Sequence, residues 1–210
     1  MSLEKKDPVN LIITGVGGQG NILISRLIGQ TLVDEGYSIT IGETYGVSQR
    51  GGSVASHVRI SRETAYSPLT PEGCADIILG LEPLESLRML TVFGNENSFV
   101  VTNIRPIHTM AVVIGEAEYP RLEAIKEGIA RLSQKAWYID ASRIALDLGN
   151  PVLTNIIMAG ALVGTGLLPM DRKSFDQQLR MNFNKKEQLA LNVKAFEMGI
   201  GEIASWVDSS

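Results

Sequence analysis

Gly15-Val16-Gly17-Gly18-Gln19-Gly20 follows Leu11-Ile12-Ile13-Thr14 without a break, and Asn21 opens an amphipathic stretch directly after it. A strand, G-x-G-x-x-G and a helix in that order let a ligand or a second backbone come close to the turn. The new helix would direct unpaired N–H groups and a partial positive charge at whatever lies over the glycines. The chemistry on offer is anion binding, with Gly15, Gly17, Gly18, Gln19, Gly20 and Asn21 as candidate cofactor-binding residues.

Three readings of that turn stand side by side. A dinucleotide site wants an acid about 20 positions on for the ribose hydroxyl, and Glu43 is near that place. A second anion, such as a phosphate of coenzyme A, would use the same amides. The third reading is a packing turn whose glycines serve helix–strand contact or another backbone. Further on, Arg50 sits beside Gly51-Gly52, so a planar cation suited to carboxylate or phosphate rides on a loop that tolerates close approach. Arg50 joins the binding candidates, and Tyr45, Ser48, Gln49, Gly51, Gly52 and Ser53 are candidate interface residues.

The sequence offers no catalytic set and no metal-ligand spacing. His57 and His108 lack ligand-like neighbours; His57, on a strand face, reads as a surface or interface residue. Cys74 is the single cysteine, which rules out an internal disulfide or a four-cysteine cluster within this chain. A net charge of −4 with no basic block argues against nucleic acid as a partner. Hydrophobic residues make up 44% and charged ones 20%, ordinary globular usage. The polar start carries no signal-peptide pattern, and the longest apolar run, 153–168, falls short of the ~20 residues a bilayer span needs. A cytoplasmic protein without a membrane segment is expected.

The elements that must position these residues alternate between strand and helix. Leu23/Ile24, Leu27/Ile28 and Leu32 give the first helix one apolar face, Gly36 ends it, and 37–41 reads as the second strand. Residues 43–52 read as a loop. Val54, Val58 and Ile60 alternate with Ala55, His57 and Arg59, a strand that Arg62-Glu63 would turn back into 64–67 as an antiparallel hairpin. Buried strands follow at 76–81 and 99–102, helices at 84–90 and 119–132, and a strand and helix over 137–148. Gly160 and Gly164 would admit a neighbouring element closely. The last helix, 185–206, carries a seam of Leu189, Val193, Phe196, Ile200 and Ile203, with Gly199 and Gly201 either packing sites or a break. The expected fold is a single α/β domain over 1–210: Rossmann-like, three-layered, with a mostly parallel sheet, an antiparallel hairpin and a long C-terminal helix.

Four segments carry a resemblance: GVGGQGN at 15–21, ETYGVSQRGGSVASHVRI at 43–60, YSPLTPEGCADIILGLEPLESLR at 66–88 and NVKAFEMG at 192–199. Together they resemble the small, or beta, subunits of indolepyruvate:ferredoxin oxidoreductases, grouped with the gamma subunits of 2-oxoacid:ferredoxin oxidoreductases. The resemblance runs over 10–199, and SQRGGSV, SHVRI and ADIILGLEPLE are its specific parts. Tyr45 departs from it mildly, standing where histidine is equally expected.

The resemblance implies a complex that oxidatively decarboxylates indolepyruvate or another aryl 2-oxoacid to an acyl-CoA and passes two electrons to ferredoxin. Thiamine diphosphate and 4Fe-4S clusters would reside on a large alpha subunit. This chain would be an accessory subunit, inactive alone and without a tightly bound cofactor. It would pack on the large chain, with the amides of 17–21 receiving a phosphate of coenzyme A or a carboxylate of that chain, and Arg50 pairing with the same ligand or with an acid on the large chain. Isolated, it would pair with itself through surface meant for the partner. The competing reading is a stand-alone NAD(P)- or flavin-binding Rossmann oxidoreductase.

Overall fold

The computed structural model describes Leu3 and residues 6–45, 52–108 and 110–207. Its strands are β1 (Val9–Val16), β2 (Ser38–Tyr45), β3 (Ser53–Ser61), β4 (Ile77–Gly80), β5 (Phe99–Asn103) and β6 (Lys135–Ile139). They form one sheet in the order β2-β3-β1-β4-β5-β6. β1, β4, β5 and β6 are parallel, whereas β3 runs antiparallel to both β1 and β2. The helices are α1 (Asn21–Asp34), α2 (Pro83–Phe93), α3 (Met110–Val113), α4 (Leu122–Leu132), α5 (Ala141–Asp147), α6 (Thr154–Gly164), α7 (Arg172–Asn182) and α8 (Lys186–Val207).

Alternation along the central strands makes two cores. Leu11 and Ile13 of β1, Ile77 and Leu79 of β4, and Phe99 and Val101 of β5 face α1 and α5 through α8. Ile12, Ile78 and Val100 point the other way, onto Leu90 of α2 and Ile125 and Ile129 of α4. With both faces covered, these strands read as unbroken apolar runs. The result is the expected three-layered α/β fold.

The hairpin differs from expectation. Residues 64–67 form no strand; β3 instead pairs with β2, in a register running from Ser38 opposite Ser61 to Tyr45 opposite Val54. The physical reason is that β3 lies between β2 and β1, so neither edge is left for a returning segment. The chain after β3 is held another way, with the Arg59 guanidinium donating to the carbonyls of Ser67 and Leu69 at 3.2 and 2.9 Å. Glu43, Thr44 and Tyr45 belong to β2 rather than to a loop.

The last helix is unbroken, and its seam faces the chain's own core. Leu189, Val193, Phe196, Ile200 and Ile203 all pack into the cluster formed with α6, and Phe175 stacks on Phe196 at 4.7 Å between ring centres. From Asn155 to Val163, α6 is buried on every side, which its all-round apolar sequence requires. Glycines set the spacing: a Cβ on Gly160 would overlap the carbonyl oxygen of Phe196, and one on Gly199 would overlap that of Ile157. Among the described residues, no helix is long and apolar enough to cross a membrane.

Candidate functional site

Parallel strands β1, β4 and β5 end on the same edge of the sheet, where ligands of open α/β sheets gather. The glycine turn lies there, with Gly18 at φ 99° and Gly20 at φ 88°, left-handed values that a side chain would strain. Gln19 ties the turn down from within. Its Oε1 accepts from the Val16 amide at 2.7 Å and its Nε2 donates to the Leu81 carbonyl, after β4, at 2.9 Å. A Cβ on Gly15 would come within 2.6 Å of that Gln19 oxygen, so Gly15 makes room for Gln19 rather than for a ligand. The Gly17 amide donates to Gly52 at 2.9 Å, and Asn21 Nδ2 to Val54 at 3.1 Å. The two glycine-bearing segments are thus bonded to each other.

That wiring narrows the donors the motif implies. Gly17 and Gln19 spend their amides on Gly52 and Val16. Among the described residues, the amides of Gly18, Gly20 and Asn21 have no hydrogen-bond partner. α1 begins with no side-chain cap, so its first-turn N–H groups keep their partial positive charge for something else. Two pockets flank the turn and share Gly18 and Gly20. One, of about 310 Å³, is closed by Val16, Ile22, Tyr45 and Val54. The other, also about 310 Å³, is closed by Ile107, Ser142, Leu146, Pro151, Val152, Thr154 and Asn155.

The second of these was not legible in the sequence. Asn155 is 2% exposed and so close to the turn that a Cβ on Gly20 would overlap its Nδ2. Ser142 Oγ accepts from Asn103 Nδ2 at 2.9 Å, and Asn103 also donates to Leu81 at 3.1 Å. Ile107 is held by Glu82, whose carboxylate accepts from the Ile107 amide at 3.3 Å, the Glu85 amide at 2.9 Å and the Tyr119 hydroxyl. Burial pushes Glu82 above the usual carboxylate range, against the pull of those three donors. Burial and the Glu82 carboxylate likewise push the Tyr119 phenol up. The His108 ring stacks flat on Tyr119 at 5.2 Å.

The other candidates divide clearly. Tyr45 is exposed at the end of β2, lines the first pocket and gives its hydroxyl to Glu43, which raises its pKa. Ser53 begins β3 opposite Val16. Ser48, Gln49, Arg50 and Gly51 lie outside the described residues. Glu43 does not form the ribose-binding arrangement. It pairs with Ser56 on β3, which in turn pairs with Ile13, so it lies two strand spacings, about 10 Å, from β1. The NAD(P) or flavin reading thereby loses its acid. His57 is not a surface residue but 1% exposed, with Nδ1 accepting from the Thr70 amide at 3.4 Å and its ring edge-on to Phe93. Burial, and then the nearby Arg59 charge, hold it below the ordinary imidazole range. Cys74 is exposed. Among the described residues, no group of three His, Cys, Asp or Glu side chains converges on a metal position.

Residues 10–202 match the family model described as pyruvate ferredoxin/flavodoxin oxidoreductase. The chain is 38% identical over 192 residues to the indolepyruvate oxidoreductase subunit IorB of Pyrococcus horikoshii, covering 91% of this chain and 94% of that one. IorB of Thermococcus kodakarensis matches with the same identity and coverage. Among solved structures, a 2-oxoglutarate:ferredoxin oxidoreductase from Magnetococcus marinus, with 2-oxoglutarate, coenzyme A and succinyl-CoA bound, superposes with a TM-score of 0.74. The identity is 21%, over 96% of this chain and 32% of that one.

Proposed function

This chain belongs to the pyruvate ferredoxin/flavodoxin oxidoreductase family, and on that footing we propose that it is the accessory subunit of a cytoplasmic indolepyruvate:ferredoxin oxidoreductase. The complex decarboxylates an aryl 2-oxoacid and delivers acyl-CoA and two electrons, the electrons going to ferredoxin. The observation that carries this reading is near end-to-end similarity to IorB chains. A single cysteine cannot supply the ligands of a 4Fe-4S cluster, which agrees with the reading, carried by the family resemblance, that the clusters and thiamine diphosphate belong to the large alpha subunit. Thiamine diphosphate there supplies the carbanion-stabilising chemistry of decarboxylation.

This chain contributes shape and donors. The amides of Gly18, Gly20 and Asn21, at the head of α1, fit a phosphate of coenzyme A or a carboxylate of the large subunit. Arg50 meets the same group, and Gly51 and Gly52 let it approach. Tyr45, Ser48, Gln49 and Ser53 border the contact. Support comes from the pocket of about 310 Å³ between the turn and Tyr45 and from the Gly17–Gly52 bond that sets the two segments side by side.

The test is reconstitution with the large subunit. The reading expects this chain to co-purify with a cysteine-rich, thiamine-binding partner and to show no oxoacid turnover alone. Arg50→Ala should then raise the KM for coenzyme A or weaken assembly. Turnover by the isolated chain would end the proposal. Wild-type assembly together with an unchanged coenzyme A KM would remove Arg50 from the site.

A further inference from the structure

We infer that the pocket between the glycine turn and the start of α6 is a binding site for a small apolar carboxylate. It shares the Gly18 and Gly20 amides with the contact proposed above, so the two are alternative uses of those donors, and it is tested on this chain alone because Ser142, Leu146, Val152 and Asn155, on the α5–α6 side of the turn, belong to it.

Asn155 carries the inference. It lines the pocket and is 2% exposed, yet among the described residues its side-chain amide has no hydrogen-bond partner. Its side chain forms part of the pocket wall, where a ligand or water can bond it. Three further donors lie around it. The amides of Gly18 and Gly20 are unpartnered among the described residues. Asn155 Nδ2 is packed directly against Gly20, so side-chain and main-chain donors converge at the positive end of α1. Ser142 Oγ accepts from Asn103, leaving its own proton to give. Such a set calls for an acceptor.

The lining also decides which acceptor. Among the described residues the lining holds no lysine or arginine, and neutral donors at a helix end suit a single negative charge. Opposite the donors stand Ile107, Leu146, Pro151 and Val152. Leu146 and Val152 are 56% and 70% exposed, apolar surface that a hydrocarbon body would cover. The volume, about 310 Å³, is at the small end for ligand sites, which begin near roughly 300 Å³.

The experiment is ligand-observed NMR and calorimetry on the purified chain, with benzoate as the probe. Acetate, benzyl alcohol and phenyl phosphate at pH 8 serve as comparators. The inference expects saturable benzoate binding with each comparator about tenfold or more weaker. Asn155→Ala should weaken benzoate about tenfold, and Val152→Ser, on the exposed rim, should weaken it severalfold with the fold intact. Benzyl alcohol binding as tightly as benzoate would overturn the charge reading, and acetate doing so would overturn the apolar one. Phenyl phosphate binding more tightly would overturn the choice of carboxylate. The site falls altogether if benzoate fails to saturate. It falls as well if the affinity is unchanged in Val152→Ser and in an Asn155→Ala protein whose circular dichroism matches wild type.

Discussion

The Gly160 Cα lies against the main chain of Phe196, with no space for a methyl group between them, and Gly199 makes the reciprocal contact with Ile157 from α8. Gly160→Ala and Gly199→Ala must therefore push the two helices apart, at about 1–3 kcal/mol each. Gly201, by contrast, has open space where its Cβ would stand, so Gly201→Ala should stabilise α8 by up to about 1 kcal/mol. Thermal unfolding reads all three, at roughly 2–4 °C per kcal/mol for a chain of this size. A Gly160→Ala protein melting with wild type would refute the close contact.

Gln19 is the internal strut of the turn, joining the Val16 amide to the Leu81 carbonyl. Gln19→Ala should destabilise the chain by about 1–3 kcal/mol, since it leaves a buried strand-end donor unmatched. Gln19→Glu keeps the acceptor and loses the donor, setting a negative charge beside the Leu81 carbonyl, and should cost no less. Urea denaturation measures both. Equal midpoints for wild type and Gln19→Ala would show that the glycines hold the turn unaided.

Glu82 sets a pH dependence of stability. Burial raises its native pKa above the ordinary 4.5, so the folded chain binds this proton more tightly than the unfolded one. The contribution is complete below pH 4.5 and is lost as pH rises through the native value. Relative to Glu82→Gln, the wild type should lose stability across that interval. Tyr119→Phe removes a bond that favours the carboxylate and should move the upper end of that interval to higher pH. Denaturation midpoints over a pH series check the sign; a wild type that gains on Glu82→Gln as pH rises contradicts it.

His57 works in the opposite sense. Burial lowers its native pKa below 6.5, so its contribution is present above pH 6.5 and is lost as pH falls through the native value. Protonation would also end acceptance by Nδ1 from the Thr70 amide. Replacing it with Gln should flatten the acid side of the stability profile. Titration of the imidazole by NMR should give a midpoint below that of a free histidine; one above it would contradict the buried setting beside the Arg59 charge.

The strand–turn–helix opening was readable because every residue that makes it lies within 9–34, and glycines and apolar spacing are local signals. The sequence pattern leaves β2 too short because Glu43, Thr44 and Tyr45 form the end of an edge strand with one neighbour, and a half-wet edge has the composition of a loop. The order β2-β3-β1 had no local signature, since it depends on Tyr45 pairing with Val54 and Val16 with Ser53. Leu81 and Asn155 meet the turn from 62 and 136 positions away from Gln19 by subtraction of residue numbers. An asparagine opening an apolar helix gives no hint of where that helix will dock. Gly160 announces a close approach, but nothing local says that its neighbour is the main chain of Phe196 on α8.

The bond from the Gly17 amide to Gly52 has a mechanical side. The glycine turn and the chain entering β3 are not two independent fingers but levers pinned at a common pivot. Whatever shifts the start of β3 must snap that pin or drag the neighbouring amides of the turn along with it.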